Sequence, residues 1–131
     1  MKITYREFQK ADTSALVSLS NDEWRVSVRS LEPMLAKYDG VAMKCYVAES
    51  GDSIIGLAAG FILPNATLNP ELVYVLPEFR NNGIGTKLLK QLENHCGCQA
   101  SIIYYNKDMH DYYAKRGYFS TNNLEVAIKN I

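Results

Sequence analysis

The sequence predicts an α/β fold of the α+β type, in which a mixed β-sheet packs against helices. Segments with strand and helix patterns alternate along the chain, and strands outnumber helices. Two strands, residues 42–48 and 53–63, are separated only by Glu49-Ser50-Gly51-Asp52, which indicates an antiparallel hairpin. A strand, a helix and a further strand follow between residues 72 and 105, and this unit requires a right-handed parallel crossover.

The individual strands are predicted from hydrophobic periodicity. Residues 3–8 alternate apolar and polar side chains, whereas residues 53–63 are apolar almost throughout and are expected to be buried. Strands are expected at residues 3–8, 42–48, 53–63, 67–76, 101–105 and 124–128. Because the hairpin is antiparallel, a lone Rossmann unit, whose strand pairs are all parallel, is excluded.

Four helices are expected between these strands. They are predicted from Asp12 or Thr13 onward, over residues 30–38, from Gly83 to about His95, and over residues 107–116. The third has the strongest pattern, because Ile84, Leu88 and Leu92 share one face. Gly117 is expected to end the fourth helix.

Composition narrows the class of protein. The chain has 131 residues, 47% of them hydrophobic, which is typical of one globular domain over residues 1–131. Fourteen basic and fourteen acidic side chains give zero net charge, so nucleic acid or an anionic membrane is not expected as a partner. The chain has no run apolar enough for a spanning helix and does not start with a signal peptide, so a cytoplasmic location is expected.

The cysteines do not indicate a metal site. Of Cys45, Cys96 and Cys98, only the last two are close in sequence, and His95 and His110 do not complete a four-ligand zinc set with them. We therefore expect no metal, and reduced thiols at the end of a helix.

The turn before the third helix has the composition of an anion-binding site. Gly83 and Gly85 remove Cβ atoms where a backbone could approach a ligand, and the first-turn amides of a helix attract a pyrophosphate. Arg80 and Lys87 could add positive charge. The spacing is not a dinucleotide fingerprint, because Leu88 stands where Gly or Ala is needed, and it is not a P-loop. On this spacing alone, a purely structural turn is an equal alternative.

Two sequence blocks, one of which contains this turn, indicate what the turn could bind. The first is Val73-Tyr74-Val75-Leu76-Pro77-Glu78-Phe79-Arg80-Asn81-Asn82-Gly83-Ile84-Gly85-Thr86-Lys87-Leu88-Leu89, and the second comprises Asn106, Met109, Tyr112-Tyr113, Lys115 and Gly117-Tyr118. The first resembles motif A of the GNAT acetyltransferase superfamily. The second is similar to that family's Asn-x-x-Ala-x-x-Phe-Tyr-x-Lys-x-Gly-Phe pattern, from which Met109 departs. The resemblance covers residues 73–119, whereas residues 9–40 carry no recognisable signature.

The resemblance implies a GNAT-like fold and acetyl-CoA as co-substrate. The sheet would be mixed and centrally splayed, with about six to seven strands and helices on both faces. Pyrophosphate would bind the amides from Asn82 to Thr86, pantetheine would follow residues 72–76, and the thioester would lie in the splayed gap. The residues implied to bind acetyl-CoA are Val73, Val75, Arg80, Asn81, Asn82, Gly83, Ile84, Gly85, Thr86, Asn106 and Tyr113.

Two catalytic residues are expected by the same resemblance. Tyr113 stands where the family commonly places the general acid that protonates the leaving thiolate, a role typically worth about a hundred- to ten-thousandfold. Tyr112 is expected to point about 100° away, so only one of the two should reach the sulfur. Glu71 is the expected base, acting through water. The alternatives are that Tyr113 is one face of a half-buried helix and Glu71 an exposed edge residue.

The acceptor is expected near Asp22, Glu23 and Trp24, where charge pairing and cation–π contact could hold an amine. The same cluster could instead be a helix end with a packed aromatic. The sequence thus predicts an acyltransferase, an acetyl-CoA-dependent N-acetyltransferase that moves the acetyl group directly to a primary amine of a small molecule or peptide. The alternatives are a non-catalytic acyl-CoA-binding sensor or interaction module, or an unrelated nucleotide-binding protein. We allow for a homodimer.

Overall fold

The computed structural model describes residues 2–18, 31–121 and 123–131. Its strands are β1 (Ile3–Glu7), β2 (Met43–Ser50), β3 (Ser53–Leu63), β4 (Thr67–Val75) and β5 (Ala100–Ser101). Its α-helices are α1 (Asp12–Ser18), α2 (Glu32–Ala36), α3 (Ile84–His95) and α4 (His110–Ala114). Two short 3-10 turns, Pro77–Phe79 and Lys107–Met109, precede α3 and α4.

The strands form one mixed sheet in the order β1-β2-β3-β4-β5. The pairs from β1 to β4 are antiparallel, and β4 pairs with β5 in parallel. The antiparallel hairpin of β2 and β3 and the parallel crossover through α3 are therefore confirmed.

Helix α3 packs against β2, β3 and β4, and Gly56 of β3 makes its close approach possible. A Cβ atom at Gly56 would lie 3.0 Å from Cδ1 of Leu88 and 3.2 Å from the carbonyl oxygen of Tyr74. Ile55 and Leu57 point to the opposite face of β3 because side chains alternate along a strand, and both are buried. Helix α1 also packs against β3, so the central strand is covered on both faces.

The sheet has five strands among the described residues, fewer than the six to seven expected. Residues 124–128 form no strand, and Leu124, Val126 and Ile128 are 76%, 70% and 86% exposed. Alternation alone did not identify a strand here, because a strand also needs a neighbouring edge to supply its hydrogen bonds. Strand β5 is shorter than predicted, and residues 107–116 form a 3-10 turn followed by the five-residue α4 rather than one helix.

Two further observations concern the described segments. None of their helices combines the length and the apolar character that a bilayer crossing requires. Within the same segments, no three His, Cys, Asp or Glu side chains are grouped so that they could hold a metal ion.

Candidate active site

A bulge in β4 opens the sheet at its centre. Leu72 is paired with Ala59 and Pro70 with Gly60, so Glu71 is an extra residue on β4 with no partner on β3. Pro70 also lacks the amide hydrogen that a regular ladder would use. Parallel pairing between β4 and β5 is limited to the first two residues of β4, Thr67 and Leu68, which pair with the two residues of β5. The remainder of β4 therefore has a free side among the described residues, which is the splay expected at this point.

The bulge also decides where the backbone of β4 points. The carbonyl of Leu68 accepts a hydrogen bond of 2.8 Å from the residue that follows β5, whereas the amide of Leu76 donates to β3. In a regular strand the backbone groups of Leu68 and Leu76, eight residues apart, would point to the same neighbouring strand. Here they point to opposite sides of β4, because the extra residue at the bulge shifts the alternation by one. Val73 and Val75 consequently direct their backbone groups away from β3 and into the open side.

The N-terminus of α3 lies beside this open side of β4. Gly83, the N-cap, has a φ of 73°, which favours glycine, and no atom lies within 4 Å of the position that its Cβ would take. No side chain of the described residues caps this end by hydrogen bonding. Gly85 lies close to β4, because a Cβ there would be 3.7 Å from Cγ atoms of Val73 and Val75. The first-turn amides and the positive end of the helix dipole are thus available to an anion.

A cleft of about 700 Å³ connects the helix end, the open side of β4 and α4. Most of the expected cofactor-binding residues border this cleft: Val73, Val75, Arg80, Asn81, Gly83, Ile84, Gly85, Thr86 and Tyr113. The structure thus brings together residues from β4, the glycine turn and α4, as the two sequence blocks predicted.

Arg80 and Asn82 contact the main chain of this turn. Nε of Arg80 donates a hydrogen bond of 2.8 Å to the carbonyl oxygen of Val75, and its guanidinium lies 5.3 Å from the ring centroid of Tyr74. The side-chain amide of Asn82 donates at 3.1 Å to the carbonyl oxygens of Phe79 and Arg80. Asn82 borders a neighbouring depression rather than the main cleft. Both side chains therefore help to shape the turn itself.

Tyr113 is half-buried in an aromatic cluster at the cleft. Its ring makes edge-on contacts with Tyr105 and Tyr118, at centroid distances of 4.8 and 5.8 Å. Burial raises the pKa of Tyr113, the neighbouring Tyr112 raises it further, and the charge of Arg116 opposes this shift. The phenol is therefore protonated at neutral pH and can donate a proton.

Tyr112 and Arg116 also belong to the cleft. The guanidinium of Arg116 lies over the ring of Tyr112, with Cζ 3.5 Å from the ring centroid, and its Nη1 donates to the carbonyl oxygen of Tyr112 at 2.7 Å. The Tyr112 hydroxyl is 3.3 Å from Oγ1 of Thr86 in the first turn of α3. Both tyrosines thus border the cleft, although only Tyr112 reaches the helix end.

Other predicted residues lie elsewhere. Glu71 is exposed at the bulge, and Asn106 is exposed before the 3-10 turn that leads to α4, where its carbonyl accepts a hydrogen bond from Met109. Neither borders the cleft. The expected acceptor residues Asp22, Glu23 and Trp24 lie outside the described residues.

Five cleft residues were not predicted as site residues: Tyr74, Phe79, Met109, Tyr112 and Arg116. A signal for Arg116 was present, because it follows Tyr112 by one helical turn and adds a charge to the same face. Met109, the departure from the family pattern in the second block, lines the cleft directly.

Comparison with known proteins now defines the class. Residues 13–118 match the model of the acetyltransferase (GNAT) family, and the chain belongs to this family. No curated protein sequence matches it significantly.

Solved structures share its fold. The chain is similar to a possible acetyltransferase from Clostridium difficile 630, with 16% identity over 98% of both chains and a TM-score of 0.76. It is similar to glucosamine-6-phosphate N-acetyltransferase from Arabidopsis thaliana, with 19% identity over 98% of this chain and 99% of that one and a TM-score of 0.67. The PaiA N-acetyltransferase from Thermoplasma acidophilum, determined in complex with coenzyme A, has 18% identity over 88% and 89% of the chains and a TM-score of 0.72.

Proposed function

We propose that residues 1–131 form one acetyltransferase domain that transfers the acetyl group of acetyl-CoA directly to a primary amine of a small molecule or peptide. The observation that carries this proposal is the position of the α3 N-terminus, which opens into the same cleft as the free side of β4 and Tyr113.

The glycine turn provides the phosphate site. The amides that follow Asn81 and Gly83, two residues with positive φ, lead into the first turn of a twelve-residue helix. Such a helix end stabilises a pyrophosphate through its amides and its dipole. Because a Cβ at Gly83 would enter open space rather than protein, a ligand has room to approach the backbone there.

The free side of β4 provides the acyl site. Amine attack on a thioester places negative charge on the carbonyl oxygen, and one amide donor in a dry cleft stabilises such a charge by about 3 to 4 kcal/mol. The amide of Val73 or Val75 takes this role, since both face the open side of the strand.

Two protons must be handled in this reaction. Only about one alkyl amine in a thousand is unprotonated at neutral pH, so Glu71 at the bulge accepts the amine proton through water. Tyr113 supplies a proton to the departing thiolate, since its phenol borders the cleft and is protonated at neutral pH. Asn106 contacts the cofactor arm, and the acceptor binds near Asp22, Glu23 and Trp24.

The proposal is tested in two steps. Acetyl-CoA at micromolar concentration should raise the melting temperature, whereas ATP and NAD should not, because they lack the pantetheine arm. An equal response to all three ligands would refute the acetyl-CoA site. A thiol-release screen with amines, aminoglycosides and peptides should then identify an acceptor. A thermal shift without turnover on any amine would instead support the non-catalytic acyl-CoA-binding module.

A further inference from the structure

The turn that connects α3 to β5 carries two cysteines, one on each side of a single glycine. Cys96 is the C-cap of α3, Gly97 has a φ of 70°, and Cys98 follows. Both cysteines are free and partly exposed, unlike the buried Cys45. This pair lies at the opposite end of α3 from the cleft and takes no part in the proposed transfer.

Each thiol contacts the backbone of the other cysteine across the turn. The amide of Cys98 donates a hydrogen bond of 3.3 Å to Sγ of Cys96, and Sγ of Cys98 donates one of 3.7 Å to the carbonyl oxygen of Cys96. Each sulfur therefore contacts the other residue of the pair. Burial raises the pKa of Cys98, and a side-chain hydrogen bond in which its thiol donates to Cys96 raises it further.

The backbone geometry suits a bond between them. Cα atoms two residues apart are separated by at most about 7 Å in an extended chain, and a turn shortens this distance. A disulfide requires roughly 4.4 to 6.8 Å between Cα atoms. Gly97 adopts the left-handed conformation that favours glycine, and the hydrogen bonds between the two cysteines close the turn around it.

We propose that Cys96 and Cys98 form a reversible dithiol–disulfide site that is oxidised by low-molecular-weight disulfides such as glutathione disulfide. Cys96 attacks first, because its sulfur accepts a hydrogen bond from the amide of Cys98, which would stabilise a thiolate there. This step forms a mixed disulfide between Cys96 and one glutathione and releases the other as a thiol. The Cys98 thiolate then attacks Sγ of Cys96, which forms the Cys96–Cys98 bond and releases the second thiol. The protein loses two electrons and two protons, and the small disulfide gains them.

Equilibration of the full chain in glutathione redox buffers, followed by acid quenching and mass spectrometry, tests this proposal. We expect one product lighter by two hydrogen atoms, about 2 Da, with no lasting glutathione adduct. Half of the protein should be oxidised when the squared concentration of glutathione, divided by the concentration of glutathione disulfide, is on the order of 1 mM. This value corresponds to the effective concentration of two closely linked groups. Trypsin should place the new bond within the peptide Gln91–Lys107, which contains both cysteines and excludes Cys45.

Single substitutions separate the steps. Cys98→Ser should stop the reaction at a stable glutathione adduct on Cys96, while Cys45→Ala should leave the wild-type result unchanged. Circular dichroism of the oxidised protein should match that of the reduced protein. Stable glutathione adducts on the wild-type pair, a bond that joins two chains, or oxidation only after unfolding would each overturn the proposal.

Discussion

Nη2 of Arg116 donates a hydrogen bond of 2.8 Å to Oγ1 of Thr86, and Nε of the same guanidinium lies 3.1 Å from that oxygen. A formal positive charge is thereby held at the first turn of α3, where the helix dipole is also positive. The guanidinium and the helix dipole place positive charge at the same point, which favours the binding of an anion there. The guanidinium also packs on the ring of Tyr112.

Replacing Arg116 should therefore weaken cofactor binding. Charge-assisted hydrogen bonds to phosphate are worth about 1.5 to 3 kcal/mol, so Arg116→Ala should raise the Kd of coenzyme A at least about tenfold. Isothermal titration measures this change. Lys115→Ala is the matched control, because it removes the same charge from the adjacent, exposed position. Equal losses in both variants would show that only the overall charge matters.

A second prediction concerns the glycine turn. Gly83→Val should abolish the melting-temperature increase caused by acetyl-CoA, since the side chain would occupy the space in front of the amides. Gly51→Val is a close control. Gly51 has a φ of 61° and, like Gly83, no atom within 4 Å of its Cβ position, but it lies in the β2–β3 turn. Both variants carry similar backbone strain, about 1 to 2 kcal/mol. A retained acetyl-CoA response in Gly83→Val would contradict the phosphate site.

The neighbouring Tyr112 provides a control for the proposed role of Tyr113 as general acid. Tyr113→Phe should lower kcat by about a hundredfold or more and leave the Kd of acetyl-CoA nearly unchanged, because only the proton donor is lost. Tyr112→Phe should have the smaller effect on kcat, since its hydroxyl contacts Thr86. Steady-state kinetics with the acceptor found in the thiol-release screen measures both. If the two variants lost kcat equally, Tyr113 would not be the specific acid.

The sequence was sufficient to predict features that depend on local chemistry. The β2–β3 hairpin follows from a turn between two apolar runs, and the start of α3 follows from Gly83 and a strongly amphipathic helix. That β4 and α4 border the same cleft could be predicted only because two sequence blocks resembled those of a known family. Periodicity alone does not say which strands separate, since splaying depends on tertiary contacts.

The differences from prediction have a common cause. Residues 124–128 have the alternation of a strand, yet strand formation depends on an available edge as well as on pattern. Glu71 was predicted near a strand start, but its place on a bulge became visible only from the pairing of Pro70 and Leu72 with β3. Arg116 was missed because its partner, Thr86, is distant in sequence and belongs to another helix.

The last prediction concerns stability and its dependence on pH. Arg6 donates to both carboxylate oxygens of Asp12, at 2.8 and 2.9 Å, and Nε of Arg6 donates to Glu49 at 2.6 Å. Burial by itself would raise the pKa of Asp12, but the hydrogen bonds from Arg6 and from the amide of Gln9 outweigh it and lower the pKa. This contact joins β1 to the start of α1 and to β2.

Asp12→Asn should lower the free energy of unfolding by about 2 kcal/mol at pH 7, because it removes a charge-assisted hydrogen bond pair from a mostly buried site. A carboxyl whose pKa is lowered by folding stabilises fully above its unfolded value of about 3.9 and loses this effect as the pH falls through its folded value. The difference between wild type and Asp12→Asn should therefore be constant above about pH 5 and shrink in more acidic solution. Urea unfolding at several pH values measures it, with Asp52→Asn in the exposed β2–β3 turn as the control. A difference that stayed constant down to pH 2 would show that the charge on Asp12 does not stabilise the fold.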